Sequence, residues 1–192
     1  WSKKARMEDT VSVKEGVERL LKHAVPCARG CSWKLFDTDE TGFEEAEKAC
    51  KDADFIVACV GEHMLNSGEA HSRTDIRIPE IQRKFVARLH KLNKPLALVV
   101  FGGRPLALSD VEESADAILY VWQPGTEGGN AIANLIYGKA NPCGKTVMSF
   151  PRSVGQCPIY YNHFSTARPK RKDIPSFYSD ERFRSGYDDE YN

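Results

Sequence analysis

The sequence predicts an α/β domain built on a mostly parallel sheet sandwiched between helices. Continuous apolar runs at residues 55–60, 96–101 and 117–122 read as strands buried on both faces. Helical patterns separate them, and strands that alternate with helices favour parallel pairing with right-handed crossovers. At 192 residues, with 41% hydrophobic and 28% charged side chains, the chain is long enough to bury a core.

The elements follow in order. Residues 11–24 place Val13, Val17, Leu20, Leu21 and Ala24 on one helical face, and Ser12 with Glu15 forms a capping-box pattern. Residues 25–28 read as a short strand that Pro26 pushes to a sheet edge. Thr41 and Glu44 open a second helix with Phe43, Ala46 and Cys50 on its inner side. Residues 55–60 are expected to form a central strand, followed by a long polar loop, 61–76. Pro79 starts a helix to Leu92, with Ile81, Phe85 and Leu89 inward. A further helix is expected at 131–137 and a last strand at 147–150. Residues 1–160 are read as one sandwich domain. Beyond it, residues 161–192 read as an extended arm that opens with a basic, proline-containing stretch up to Lys172.

Composition excludes some partners. Lys plus Arg and Asp plus Glu each number 27, so the net charge is zero and nothing favours nucleic acid or an anionic membrane. No apolar run approaches the roughly 20 residues of a membrane helix, and no signal-peptide pattern follows Trp1. The six cysteines form no CxxC pair, which argues against a zinc site, and they are read as mostly buried free thiols. No metal and no cofactor is expected. The stretch from Gly125 to Gly129 has neither P-loop nor dinucleotide spacing, and Glu127 would repel phosphate; it is read as a tight turn packing helix to sheet.

In parallel sheets, ligands meet the loops beyond the carboxyl ends of the strands. Here those loops are 61–76, 102–105 and 123–129. They carry motifs that resemble a known family: Gly61-Glu62-His63, Ser67-Gly68-Glu69-Ala70-His71-Ser72-Arg73-Thr74-Asp75-Ile76, Lys94-Pro95 with Gly103-Arg104-Pro105, and Pro124-Gly125-Thr126-Glu127-Gly128-Gly129. Asn141-Pro142-Cys143-Gly144-Lys145 and the run from Phe150 to His163 continue the series. In this order the blocks resemble the C-terminal α/β domain of family 3 glycoside hydrolases of the β-glucosidase type.

The resemblance implies a retaining mechanism shared between two domains. A (β/α)-barrel domain carries an aspartate nucleophile, and the α/β domain lends a glutamate acid/base to a β-glucoside or oligosaccharide substrate. Glu69 sits at the family's acid/base position, and Glu62 is the rival. Glu62, His63, Arg73 and Trp1 are candidate substrate contacts, Glu62 as a pocket-lining or loop-orienting carboxylate and Trp1 as a ring that stacks on sugar. A solvated loop glutamate is the plain alternative for Glu69. Arg73 is also read as pairing with Asp75 to hold the loop, and Arg104 as bonding loop carboxylates.

The sequence contains no barrel, and its end does not resemble the segment that closes the family's domain, so a fragment, inactive alone, is expected. Its parent is expected to be a β-glucosidase. A non-catalytic carbohydrate-binding or barrel-docking module is the alternative. Compartment stays open between cytoplasmic and exported.

Overall fold

The computed structural model describes residues 6–164, 168, 169, 171 and 183–185. Contacts divide the chain into two units, Trp1–Pro158 and Ile159–Asn192. In the second, Tyr160 and His163 meet ring to ring and Pro169 bridges Ser185. Most of the expected C-terminal arm, and Trp1, lie outside the described residues.

The first unit is α/β. Strands β1 (Ile56–Gly61), β2 (Leu96–Phe101) and β3 (Ala117–Trp122) form a parallel sheet in the order β1-β2-β3. Helices α1 (Val13–Leu21), α2 (Phe43–Ala49), α3 (Glu80–His90), α4 (Ser109–Glu112) and α5 (Gly128–Ile136) accompany them. Alternate strand residues point to one face. Ile56, Ala58 and Val60 of β1 and Leu96, Leu98 and Val100 of β2 join Phe43, Ile81, Val86, Leu89 and Val111 in one buried cluster. A second buried set includes Val11, Val17, Ile132 and Ala133, where α1 meets α5.

That meeting is close because two glycines make it so. A Cβ on Gly16 would lie 2.1 Å from the Gly129 carbonyl oxygen, and one on Gly129 would lie 2.1 Å from the Ser12 carbonyl oxygen. The amide of Val11 donates to Thr126 O (2.8 Å) and that of Gly129 to Val11 O (3.1 Å). The expected capping box holds: Ser12 N–H donates to Glu15 Oε2 (2.8 Å) and Glu15 N–H to Ser12 Oγ (3.2 Å).

Several expectations need correction. β2, not β1, is the central strand; an apolar run reports burial but not neighbour order. Gly128-Gly129 begins α5, three residues before the expected start, and packs helix on helix, while Gly125 (φ +78) makes the preceding turn. Residues 147–150 form no strand: Val147 is 87% exposed, and only the Phe150 ring reaches the sheet, 5.0 Å from Tyr120 and 5.8 Å from Trp122. Residues 25–28 are extended but pair with no described strand. They face β1 across a cavity of about 540 Å³ that α1 and α2 also line. All six cysteines are free, yet Cys27, Cys59, Cys143 and Cys157 are exposed and only Cys31 and Cys50 half-buried.

Candidate functional site

The loops beyond the carboxyl ends of β1 and β2 converge on Glu62. It follows Gly61, whose φ of +136 and approach to Phe101 leave no room for a side chain: a Cβ there would sit 1.9 Å from the Phe101 carbonyl oxygen. Glu62 N–H continues the β-ladder to Phe101 O at 2.9 Å. Its side chain is 1% exposed. Arg73 Nη1 donates to Oε2 at 2.8 Å, Arg104 Nε to Oε1 at 3.1 Å, and the Gly103 amide reaches Oε1 at 3.4 Å.

The two arginines pass this anchoring on to the loop backbone. Arg73 Nη2 donates to Arg77 O at 3.0 Å. Arg104 Nη2 donates to Asn66 O and, at 3.2 Å, to His71 O. The Tyr120 hydroxyl donates to Arg104 O, and its pKa is pushed well above the usual phenol range, first by burial and then by the Glu62 charge. Charge-assisted bonds of this kind are the stronger ones, and a buried carboxylate shared by two guanidiniums is held in one orientation. Ser67 is buried against Gly103, where a Cβ would fall 1.9 Å from Ser67 Oγ. At its far end the loop is fixed by Ala107 N–H donating to Ile76 O at 3.1 Å.

Glu69 has the opposite surroundings. It is exposed, at the tip of a turn closed by His71 N–H donating to Gly68 O at 3.2 Å. Gly68 takes φ +114 and Ala70 φ +62, a left-handed third residue as in type II turns. Among the described residues the Glu69 carboxylate has no hydrogen-bond or ion-pair partner, so a fixed loop base carries an unclaimed acid.

The remaining candidates separate. His63 caps a short 3-10 turn, its Nδ1 accepting from Leu65 N–H at 3.2 Å, and its ring stacks on Trp33 with centroids 3.9 Å apart. Arg73 belongs to the Glu62 network and does not pair with Asp75. Asp75 instead binds Arg77 through Nε (3.0 Å) and Nη2 (2.7 Å), which holds its carboxyl down to about 2. The expectation failed because Arg73 and Asp75 are sequence neighbours, whereas burial selected Glu62 as partner. Arg104 binds a loop carboxylate, as expected.

Sequence reasoning missed Gln82, whose Oε1 accepts from Gly61 N–H at 2.7 Å. A polar side chain on the apolar face of α3, beside Ile81, was the available signal, since a buried amide needs a partner. Trp33 and Tyr120 left no comparable mark. Among the described residues no group of three or more His, Cys, Asp or Glu could hold a metal ion, and no helix is long and apolar enough to cross a membrane.

Residues 1–191 match the family described as Glycosyl hydrolase family 3 C-terminal domain. The chain is 51% identical over 140 residues to a periplasmic beta-glucosidase of Salmonella typhimurium, covering 73% of this chain and 18% of that protein. It is 39% identical over 153 residues to a beta-xylosidase of Formosa agariphila, covering 79% and 21%. The crystal structure of a beta-glucosidase from Listeria innocua in complex with isofagomine superposes with a TM-score of 0.82 at 34% identity, covering 95% of this chain and 24% of that one. The chain thus spans about a fifth of the length of these relatives. The order of the motifs, the parallel sheet and the match along the sequence agree: the chain belongs to the glycosyl hydrolase family 3 C-terminal domain family.

Proposed function

We infer that this domain supplies Glu69 as the general acid/base of a retaining β-glycosidase whose nucleophile, an aspartate, lies on a (β/α)-barrel domain. The observation that carries the reading is the contrast between the two loop carboxylates: Glu62 is buried under two guanidiniums, while Glu69 is exposed and unpaired at the loop tip. Retaining hydrolysis needs two carboxyl groups about 5–5.5 Å apart on either side of the glycosidic bond. One attacks the anomeric carbon. The other gives a proton to the leaving oxygen and then takes one from water.

Both carboxyl oxygens of Glu62 are already engaged, Oε2 by Arg73 and Oε1 by Arg104, so neither is free to face a leaving oxygen. Glu62 therefore positions the loop, and Glu69 moves the proton. The relatives' names, beta-glucosidase and beta-xylosidase, support β-glucosides or β-xylosides as the substrate class. Without a nucleophile the 192-residue chain alone is expected to be inactive.

The test is Glu69→Ala in the barrel-bearing parent protein. Hydrolysis of glucosides with poor leaving groups should fall about 10²–10⁴-fold, and azide should restore part of the rate on aryl glucosides with good leaving groups. Unchanged hydrolysis by the variant removes the assignment. Turnover of an aryl β-glucoside by the isolated chain would remove the division of labour between domains.

A further inference from the structure

The cavity of about 540 Å³ between residues 25–28 and β1 lies at the strand edge that does not pair with β2. Cys27 lines it from the extended segment and Cys59 from the strand, and both are exposed free thiols. We propose that the two form a dithiol site, oxidised by a low-molecular-weight disulfide to a cross-link that staples residues 25–28 to the edge of β1. The site does not depend on the glycosidase reading.

Three observations bring this pair together. The first is the side to which each points. In extended chain, neighbouring residues face opposite ways. Ala28 packs against the buried cluster that holds Ile56, Ala58 and Val60, so Cys27 turns to the other side of the sheet, the side of Val57 and Cys59. The second is electrostatic. The Cys59 thiol is pushed up to about 11, first by burial and then by the charge of Cys27, an influence that fades with distance. Cys50 also lines the cavity, yet after burial the charges it feels are those of Lys94 and Glu47. The third is freedom to close. The Val25 amide is tied to Glu18 Oε1 at 3.2 Å, but among the described residues no backbone–backbone hydrogen bond holds 26–28. Bridged cysteines need Cα atoms about 4.4–6.8 Å apart, and a segment held this loosely can shift into the cavity to meet that.

The two thiols divide the exchange. Cys59 meets solvent through the cavity, between apolar walls that include Val17, Leu21 and Phe55, so it is accessible yet stays protonated. Cys27, on the outer segment, meets the oxidant first. Its thiolate attacks one sulfur of the small disulfide; a mixed disulfide forms, and the first small thiolate leaves and takes up the proton that Cys27 released. Cys59 then gives its proton to water and attacks the Cys27 sulfur. The bond to the second small thiolate breaks, and that thiolate recovers a proton from water. Two protein thiols and one small disulfide thus become one protein disulfide and two small thiols, the oxidant accepting both electrons.

The test is to incubate the folded 192-residue chain with glutathione disulfide, block remaining thiols by alkylation, and digest the monomer with trypsin without reductant. Cleavage leaves Cys27 as the sole cysteine of residues 23–29 and Cys59 as the sole cysteine of residues 52–73. Mass spectrometry should find these peptides joined, and the oxidised chain should melt about 5–10 °C above the reduced one. Cys59→Ser should abolish the joined peptide and the gain, whereas Cys50→Ser should keep both. Glutathione left on Cys27 without the joined peptide, a link from Cys27 to Cys50, or a link between two chains would overturn the pair. A joined peptide with no rise in melting temperature would overturn the staple. If Cys59→Ser unfolds, the oxidised and reduced forms of the unaltered chain decide, because the joined peptide needs no variant.

Discussion

Arg104, on the loop after β2, donates to Glu62 at 3.1 Å and to the His71 carbonyl at 3.2 Å, so one guanidinium joins the end of β1 to the turn that carries Glu69. Arg73 does the same from inside the loop through Glu62 and Arg77 O. The loop is held by charge at its base and left open at its tip. Removing the hub therefore costs more than removing the tip.

Glu62→Ala leaves two largely buried guanidiniums facing each other without a counter-charge. The domain should lose about 3–5 kcal/mol of stability. Glu69→Ala, at an exposed site without partners, should change it by less than about 0.5 kcal/mol. Urea denaturation of the two variants checks the contrast; similar midpoints would show that the hub does not hold the domain.

Gly129→Ala places a methyl 2.1 Å from the Ser12 carbonyl oxygen, where neither backbone can yield without parting α1 from α5. A destabilisation of about 1–3 kcal/mol is expected, as for other overpacked contacts. Gly144→Ala, with nothing within 4 Å of the new atom, is the matched control. Thermal melts of the pair separate local packing from a general effect of losing glycine.

Asp75 makes acid stability depend on Arg77. Its carboxyl is lowered from 3.8 to about 2, chiefly by the Arg77 hydrogen bonds. A folded-state pKa below the unfolded one adds stability that is present above about 3.8 and lost as pH falls through about 2. Half-exposed, the pair is screened and its contribution is small. Asp75→Asn should flatten the decline in stability between these pH values, measured by denaturation at stepped pH. An unaltered slope would mean that the pair contributes nothing in solution.

The free edge of β1 has its own signature. Ile56 N–H donates to Pro95 O and Glu62 N–H to Phe101 O, so even-numbered amides point to β2 and those of Val57 and Cys59 point to the opposite edge, towards residues 25–28. Hydrogen exchange should be faster at Val57 and Cys59 than at Ala58 and Val60. Equal protection at all four would show that a partner covers this edge in solution.

Much of the architecture was legible before folding. The apolar runs at 96–101 and 117–122 became β2 and β3 with the same bounds, because continuous burial leaves an unbroken hydrophobic signature. Ser12 and Glu15 announced the start of α1, since a cap needs only four residues of local chain. The expected strands at 25–28 and 147–150 failed for a shared reason: β-structure requires a neighbour, and neither segment has one among the described residues.

The sequence by itself determined the class of fold, the family and the loop that carries the candidate acid. Only the tertiary structure decided what each charge on that loop does. Arg73 reached past nearby Asp75 to Glu62, eleven residues back, and Arg104 came from another strand end to share the same carboxylate. Desolvation explains the choice: a buried charge must find counter-charges wherever the fold brings them, while an exposed one such as Glu69 is satisfied by water and stays available.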